Sequence, residues 1–201
     1  MEIKWKKREE LIREPKTYSL PELFAMAALV SLLGFLTENT WMLIRSGFID
    51  NRNMNLPFLL GYGLAVVGMY LLIGTPKKGH YVLYFTLVFL FVSLGEILLG
   101  FAVEKFCGFY YWDYTNLPMH LTRYTSFFTS LGFSTIITLF MHYCYEPLME
   151  FFHKKMTPRA KRVAVIVFVL LLLDMFYSFH LMKQAQDINR AWKIYLHVPH
   201  L

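Results

Sequence analysis

The sequence predicts an all-α polytopic membrane helix bundle of five transmembrane helices, with a tandem two-helix repeat. Hydrophobic residues make up 56% of the 201 residues and charged residues only 17%, which is too apolar for a soluble domain. Five apolar runs reach the roughly 18 residues that a helix needs to cross a bilayer. These runs are residues 20–44, 56–73, 81–103, 122–145 and 163–181.

Lysine and arginine are distributed unevenly between the two sides of this predicted bundle. If the N-terminus is inside, thirteen of them flank the inner membrane face and seven flank the outer face. The positive-inside rule then predicts a plasma-membrane protein with a cytoplasmic N-terminus and an extracytoplasmic C-terminus. The net charge of +6 follows from this asymmetry and suits anionic lipid. We therefore expect the lipid bilayer, and no nucleic acid, as a partner.

A short motif recurs after the first and the third predicted helix. Gly47-Phe48 and Asn55-Leu56-Pro57 reappear 61 residues later as Gly108-Phe109 and Asn116-Leu117-Pro118. Because two helices fit into this interval, both copies would point the same way across the membrane. The predicted segments are 1–19 (cytoplasmic, basic and amphipathic), 20–76 (first hairpin repeat), 77–145 (second hairpin repeat), 146–182 (cytoplasmic loop and fifth helix) and 183–201 (outer tail with a short interfacial helix).

Carboxylates inside the predicted helices mark a candidate site. An ionisable group in the membrane costs roughly 3 kcal/mol on insertion scales, so it normally faces protein or water. Glu38 lies in the first helix, while Glu96, Gly100 and Glu104 follow one face of the third. Gly100 leaves room there for a close neighbour or a ligand. Asp174, in the fifth helix, has no evident partner in the sequence.

The loops after the first and third helices supply polar partners for these acids. We expect Arg52 and Arg123 to pair with carboxylates at the top of those helices, because the guanidinium fork suits bidentate contacts. The network either ties two hairpins together or lines an outward-facing polar pocket that binds or transforms a ligand. The candidate residues are Glu38, Asn51, Arg52, Tyr62, Glu96, Glu104, Trp112, Asp113, Tyr114, His120 and Arg123.

Several chemistries lack their usual signatures in this chain. There is no cluster of histidines and carboxylates of the kind that holds zinc or iron, so no metal site is predicted. There is no glycine-rich phosphate loop and no nucleophile elbow, which argues against an ATPase domain and a serine hydrolase within the chain. No cofactor is predicted and no catalytic residue is assigned.

A set of short motifs is spread over about residues 30–145. They are Asn51-Arg52, Pro57, Tyr62-Gly63, the Glu-x7-Glu pair Glu96 and Glu104, and Trp112-Asp113-Tyr114-Thr115 with Pro118. In these motifs the chain resembles the ABC-transporter type IV (CmpB-like) family, which also takes in small vertebrate transmembrane proteins. The resemblance implies a transporter component.

The chain departs from the family pattern at a few positions. Asn53 and Leu56 stand where the family has glycine, and His120 stands where it has asparagine. Arg123 lies one position early for the arginine of the family's Gly-Arg-Ile element, and Tyr124 follows it. A member that departs in this way can keep the fold and change its ligand.

Three functions are compatible with these observations. The first is a permease-like or ligand-binding, transport-associated subunit, which at this size needs a homo-oligomer or a separate ATPase or membrane subunit. The second is a membrane enzyme on a lipid or isoprenoid-like substrate. In that enzyme Glu96 or Glu104 would be the general acid or base, Asp113 its charged partner, and Arg52 and Arg123 the holders of an anionic headgroup. The third is a structural or assembly factor.

Overall fold

The computed structural model describes residues 12–13 and 16–196, and it confirms an all-α membrane helix bundle. The predicted amphipathic segment 1–19 lies largely outside the described residues. In chain order the five helices are α1 (Leu20–Ser46), α2 (Leu60–Ile73), α3 (Tyr81–Cys107), α4 (Phe127–Lys155) and α5 (Pro158–Ala185). All of these except α2 are long and apolar enough to cross a membrane.

The helix boundaries follow from local chemistry. Pro21 occupies the first turn of α1, where its missing N–H costs nothing. Gly47 ends α1 and Gly108 ends α3, with φ of 70° and 82° respectively. Both glycines therefore adopt the left-handed conformation that commonly closes a helix. The Thr157 side chain accepts a hydrogen bond from the Ala160 N–H and caps the start of α5.

Short antiparallel strand pairs tie the chain together at both ends of the bundle. The strands are β1 (Ile12–Arg13), β2 (Phe48–Asp50), β3 (Thr75–Pro76), β4 (His120–Thr122), β5 (Thr125–Ser126) and β6 (Lys193–Tyr195). β2 pairs with β6, which brings the C-terminal segment beside the loop after α1, and β4 pairs with β5 in the loop after α3. We call this the loop end, comprising residues 47–59, 108–126 and 186–196. β1 pairs with β3 at the opposite end.

Several sequence-based boundaries are wrong. The second predicted span, residues 56–73, is a helix only from Leu60. Pro57 disfavours helical backbone in the residue before it and cannot donate an N–H, so the helix begins later. Residues 146–155 are not a loop but continue α4 beyond a π-helical turn. The tail after Ala185 contains β6 in place of the predicted interfacial helix.

The core and a cluster of charged groups hold the opposite end of the bundle together. Met26, Tyr70 and Met141 are fully buried in the main hydrophobic cluster. Glu22 is also fully buried, and its carboxylate accepts hydrogen bonds from Lys161 Nζ at 2.7 Å and from the Ser19 N–H at 2.9 Å. Glu22 is not among the residues predicted from the sequence, although its spacing from Ser19 is that of a capping box.

Candidate functional site

Glu38 in α1 is the centre of a polar cluster at the loop end. The Arg52 guanidinium donates two hydrogen bonds to Glu38 Oε2, the one from Nε at 2.8 Å. The Tyr62 hydroxyl of α2 donates to Glu38 Oε1. The side chains of Arg52 and Glu38 are only about a quarter exposed, at 23% and 24%. The predicted pairing of Arg52 with a carboxylate of the first helix is therefore confirmed.

The backbone that presents Arg52 is strained. Arg52 and Asn53 have φ of 47° and 67°, in the left-handed region that few residues other than glycine adopt readily. Asparagine tolerates this conformation better than most residues, which explains how Asn53 substitutes for the glycine of the family pattern. Burial alone would lower the pKa of Arg52, but the neighbouring groups, above all the carboxylates of Glu38 and Asp50, together outweigh that effect and raise it. The guanidinium thus stays charged.

Two tyrosines of the loop after α3, Tyr111 and Tyr114, interact electrostatically with this ion pair. Burial raises the pKa of Tyr111 to about 12, an effect that a hydrogen bond from the Asn53 side chain opposes. Burial also raises the pKa of Tyr114, and the carboxylates of Glu96 and Glu38 add to that rise. Tyr114 therefore lies within electrostatic reach of Glu38 in α1 and Glu96 in α3, both of which are partly buried.

Glu96 and Glu104 of α3 accept hydrogen bonds from the chain entering α4. Glu96 Oε2 accepts from Thr125 Oγ1 at 2.6 Å and from Ser130 Oγ at 3.1 Å. The Tyr124 hydroxyl donates to Glu104 Oε2. The Tyr124 ring lies against Gly100, where an added Cβ would come within 2.5 Å of a ring carbon. The expected close neighbour of Gly100 is thus Tyr124.

The loop after α3 is pinned by its own side chains. Trp112 Nε1 donates to the Tyr124 carbonyl at 2.8 Å, and Asp113 Oδ1 accepts from the Thr115 N–H at 2.9 Å. The Thr115 contacts lower the pKa of Asp113. The exposed ring of His120 lies 3.2 Å from the Leu117 carbonyl, Nδ1 to O.

The predicted pairing of Arg123 with a carboxylate of the third helix is wrong. Arg123 Nε lies 3.4 Å from Asp113 Oδ2, and the guanidinium stacks 4.2 Å above the Tyr110 ring. The short β4–β5 hairpin sets this geometry, because it keeps Arg123 within its own loop. Both partners are about 40% exposed, so the pair lies at the surface.

The same local arrangement occurs in both halves of the chain. Gly34 lies under the Tyr62 ring, and the Tyr62 hydroxyl reaches Glu38 one turn further along α1. Gly100, Tyr124 and Glu104 repeat that arrangement. By contact type the counterpart of Glu38 is therefore Glu104 and not Glu96. The two glycines and the two glutamates are each 66 residues apart, whereas the loop motif recurs after 61. The tandem repeat stays a prediction.

Asp174 of α5 has a partner that the sequence did not reveal. The Leu56 N–H donates to Asp174 Oδ2 at 3.1 Å, and the Asn55 side chain donates to Ser178 Oγ at 2.8 Å. Both contacts lie well inside α5, so the loop before α2 descends along that helix. Irregular backbone at such depth needs protein partners, because lipid offers none. Asn51 is buried and donates to the carbonyls of Met54 and Asn189, which fixes the same loop.

Two depressions on the described surface do not coincide with these residues. One has a volume of about 210 Å³ beside the end of α5, lined by Met182, Asp187 and Arg190 among others. The other is a groove of about 350 Å³ along α1, lined by Leu33, Trp41 and Ile44 among others. The polar cluster at the loop end is instead packed against itself.

The long apolar helices and the paired charges between them define a polytopic membrane protein. Residues 25–179 match the model of the family described as "Putative ABC-transporter type IV". The chain therefore belongs to this family and is a membrane protein associated with transport. No curated protein and no solved structure gives a significant match to it.

The geometry explains several residues that the sequence shares with the family. Tyr62 binds Glu38, and Gly63 allows α2 to approach the Ala27 carbonyl of α1. Among the candidate residues, the structure brings Arg52, Tyr62 and Tyr114 together around Glu38. Asp113, His120 and Arg123 lie on the more exposed side of the loop after α3.

Truncating either member of the Glu38–Arg52 pair should destabilise the protein. We expect Arg52→Ala and Glu38→Gln each to lower the free energy of unfolding by about 2 kcal/mol, because the remaining polar group stays half-buried. The double variant should cost less than the sum of the two, as in any directly coupled pair. Reversible unfolding in mixed micelles measures all three values.

Arg123→Ala, in the exposed pair, is the matched control and should leave the unfolding midpoint unchanged. Additive effects of Arg52→Ala and Glu38→Gln would contradict the coupling.

Proposed function

We propose that this protein is the permease-like membrane subunit of a transport system, and that the Glu38–Arg52 cluster contacts the ligand. The observation that carries the proposal is a charged pair within a membrane bundle of a transporter family, held by strained backbone at Arg52. Buried charge and backbone strain are both costly, and both concentrate at functional positions. The rings of Tyr62, Tyr111 and Tyr114 would shield the pair until a ligand displaces one of its contacts.

The chain needs partners to perform transport. No phosphate-binding glycine loop occurs in the sequence, so ATP hydrolysis would come from a separate subunit. Five helices enclose little space, which favours a homo-oligomer or an additional membrane subunit. The excess of basic residues at the opposite end supports a cytoplasmic placement of that end, and hence an extracytoplasmic loop end. An ATPase would then dock at the cytoplasmic end.

The contacts at the loop end weaken the alternative of a lipid-modifying enzyme. That mechanism needs Arg52 and Arg123 to hold an anionic headgroup. Arg52 is already paired with Glu38 and Asp50, and Arg123 with Asp113. A headgroup held by both arginines would have to displace these three carboxylate contacts. The remaining alternative, an assembly factor, differs from a subunit in that it would support no ATP-dependent activity.

The proposal is tested by purifying the tagged protein from native membranes in mild detergent and measuring ATP hydrolysis of the preparation in vesicles. We expect an ATP-hydrolysing subunit to co-purify in a fixed ratio. Arg52→Ala should change the rate of ATP hydrolysis at least about threefold while the complex stays intact, because it breaks the contact that couples ligand and subunit. The control Arg123→Ala should behave as the wild type does. A purified protein without associated ATP hydrolysis, or an Arg52→Ala complex with unchanged rate, would overturn the proposal.

A further inference from the structure

A line of hydroxyl groups faces Glu96 between α3 and α4. Thr125 and Ser130 are fully buried, and both donate to Glu96 Oε2. The hydroxyl oxygens of these two residues are also within hydrogen-bond distance of each other, at 2.9 Å. One carboxylate and two hydroxyls therefore share a small volume in the half of the bundle nearer the loop end.

The next turn of each helix adds another hydroxyl. α3 and α4 run antiparallel, so Ser93, three residues before Glu96, and Ser134, four residues after Ser130, lie at the same level one turn deeper. Ser93 is 8% exposed and Ser134 is fully buried. Neither hydroxyl has a hydrogen-bond partner in the described part of the chain.

Several helical threonines show how such a hydroxyl is usually satisfied, although Thr138 Oγ1, one turn beyond Ser134 in α4, also has no partner in the described part of the chain. Thr40, Thr86 and Thr135 each donate to the carbonyl four residues earlier in their own helix, at 2.8–2.9 Å. This is the usual solution for serine and threonine within a helix. A buried hydroxyl without a partner costs about 1–3 kcal/mol. Ser93 and Ser134 leave this solution unused one turn away from the Glu96 carboxylate, which points to a ligand as the partner of their oxygens.

We propose that Glu96, Ser93, Thr125, Ser130 and Ser134 bind a sodium ion. The donor atoms are all oxygen, which suits a hard cation and not a transition metal. The single carboxylate neutralises a monovalent ion, whereas a divalent ion would keep an uncompensated charge away from water. No basic side chain is paired with Glu96, since its described contacts are Thr125 and Ser130. A proton would occupy Glu96 alone and would give the two unpartnered serines no role.

This site goes beyond the transport role proposed above, and it is testable on the isolated chain. The unfolding temperature of the purified full-length protein would be measured in detergent while NaCl replaces choline chloride at constant ionic strength. We expect a saturable rise with sodium and none with potassium. Ser134→Ala should raise the half-saturating sodium concentration about tenfold, because it removes one ligand oxygen. Thr135→Ala is the matched control, since its hydroxyl is satisfied within the helix, and it should not shift the titration.

Direct binding of radioactive sodium by equilibrium dialysis provides the second readout, with loss of binding expected for Glu96→Gln. In the absence of a bound ion, Ser134→Ala removes only a buried unpartnered hydroxyl, so the variant would be as stable as the wild type or more so in every salt. That result would overturn the proposal. Equal responses to sodium and potassium would also overturn it, as would a response to pH alone, which assigns the site to a proton. If no sodium binds, the expected co-purification of an ATPase is unaffected. If no ATPase co-purifies, the sodium site can still be present.

Discussion

Replacing Gly63 by alanine is expected to lower the free energy of unfolding by about 3 kcal/mol, the upper range for overpacking a tight interface. A Cβ on Gly63 would lie 2.1 Å from the Ala27 carbonyl oxygen and 2.5 Å from Ser31 Oγ. The nearest of these atoms belongs to backbone, which cannot rotate away. Because α1 and α2 meet at this point, the helices would have to separate. Unfolding in mixed micelles, followed by tryptophan fluorescence, measures the change.

The same helix supplies the control. Gly61 is exposed, and a Cβ there would meet nothing within 4 Å. Gly61→Ala should therefore be neutral or slightly stabilising, since alanine restricts the unfolded chain. If both variants behaved alike, α1 and α2 would not be in close contact at Gly63, and the family's Tyr-Gly motif would need another explanation.

Glu22→Ala should cost about 3 kcal/mol, which is typical of removing one partner from a buried ion pair. The carboxylate is fully buried and contacts Lys161 Nζ at 2.7 Å and His153 Nδ1 at 3.3 Å. It also caps the Ser19 N–H at the start of α1. Its loss therefore removes the electrostatic tie between the N-terminus of α1 and the beginning of α5. Thermal unfolding in detergent should show a clearly lower midpoint.

A second acidic residue at that end distinguishes this effect from a general loss of charge. Glu150 contacts Lys16 and Lys154, but its side chain is 46% exposed. Glu150→Ala should leave the unfolding midpoint unchanged, because solvent screens exposed pairs. The unfolding midpoint of Glu22→Gln should lie between those of Glu22→Ala and Glu150→Ala, since an amide oxygen can still accept from the Ser19 N–H. A Glu22→Ala protein as stable as Glu150→Ala would show that Lys161 and Ser19 find other partners.

Hydropathy predicted most of the fold because it depends only on runs of adjacent residues. The four long spans appear close to their expected positions. The start of the second span was predicted wrongly, because Asp174 stabilises the loop before Leu60 from more than a hundred residues away. No local pattern could reveal that contact. Helix α4 was cut short for the opposite reason, because its last turns are polar although they continue the helix.

The candidate site was predictable where its partners are close in sequence. Glu38 and Arg52 are fourteen residues apart, across one turn of chain, and their pairing followed from charge and position. Arg123 was assigned the wrong carboxylate because sequence spacing does not indicate which way a short hairpin turns its side chains. Glu22 and Lys161 are 139 residues apart, so only the folded chain could bring that pair to notice.

The shortness of α2 has a consequence for the surrounding lipid. Fourteen residues of helix span about 21 Å, whereas the hydrocarbon layer of a typical bilayer is about 30 Å thick. Leu64, Leu71 and Leu72 face outward from this helix. Acyl chains next to them must shorten to match, so the protein carries its own zone of hydrophobic mismatch on one flank. Membranes of smaller thickness accommodate that flank at a lower elastic cost.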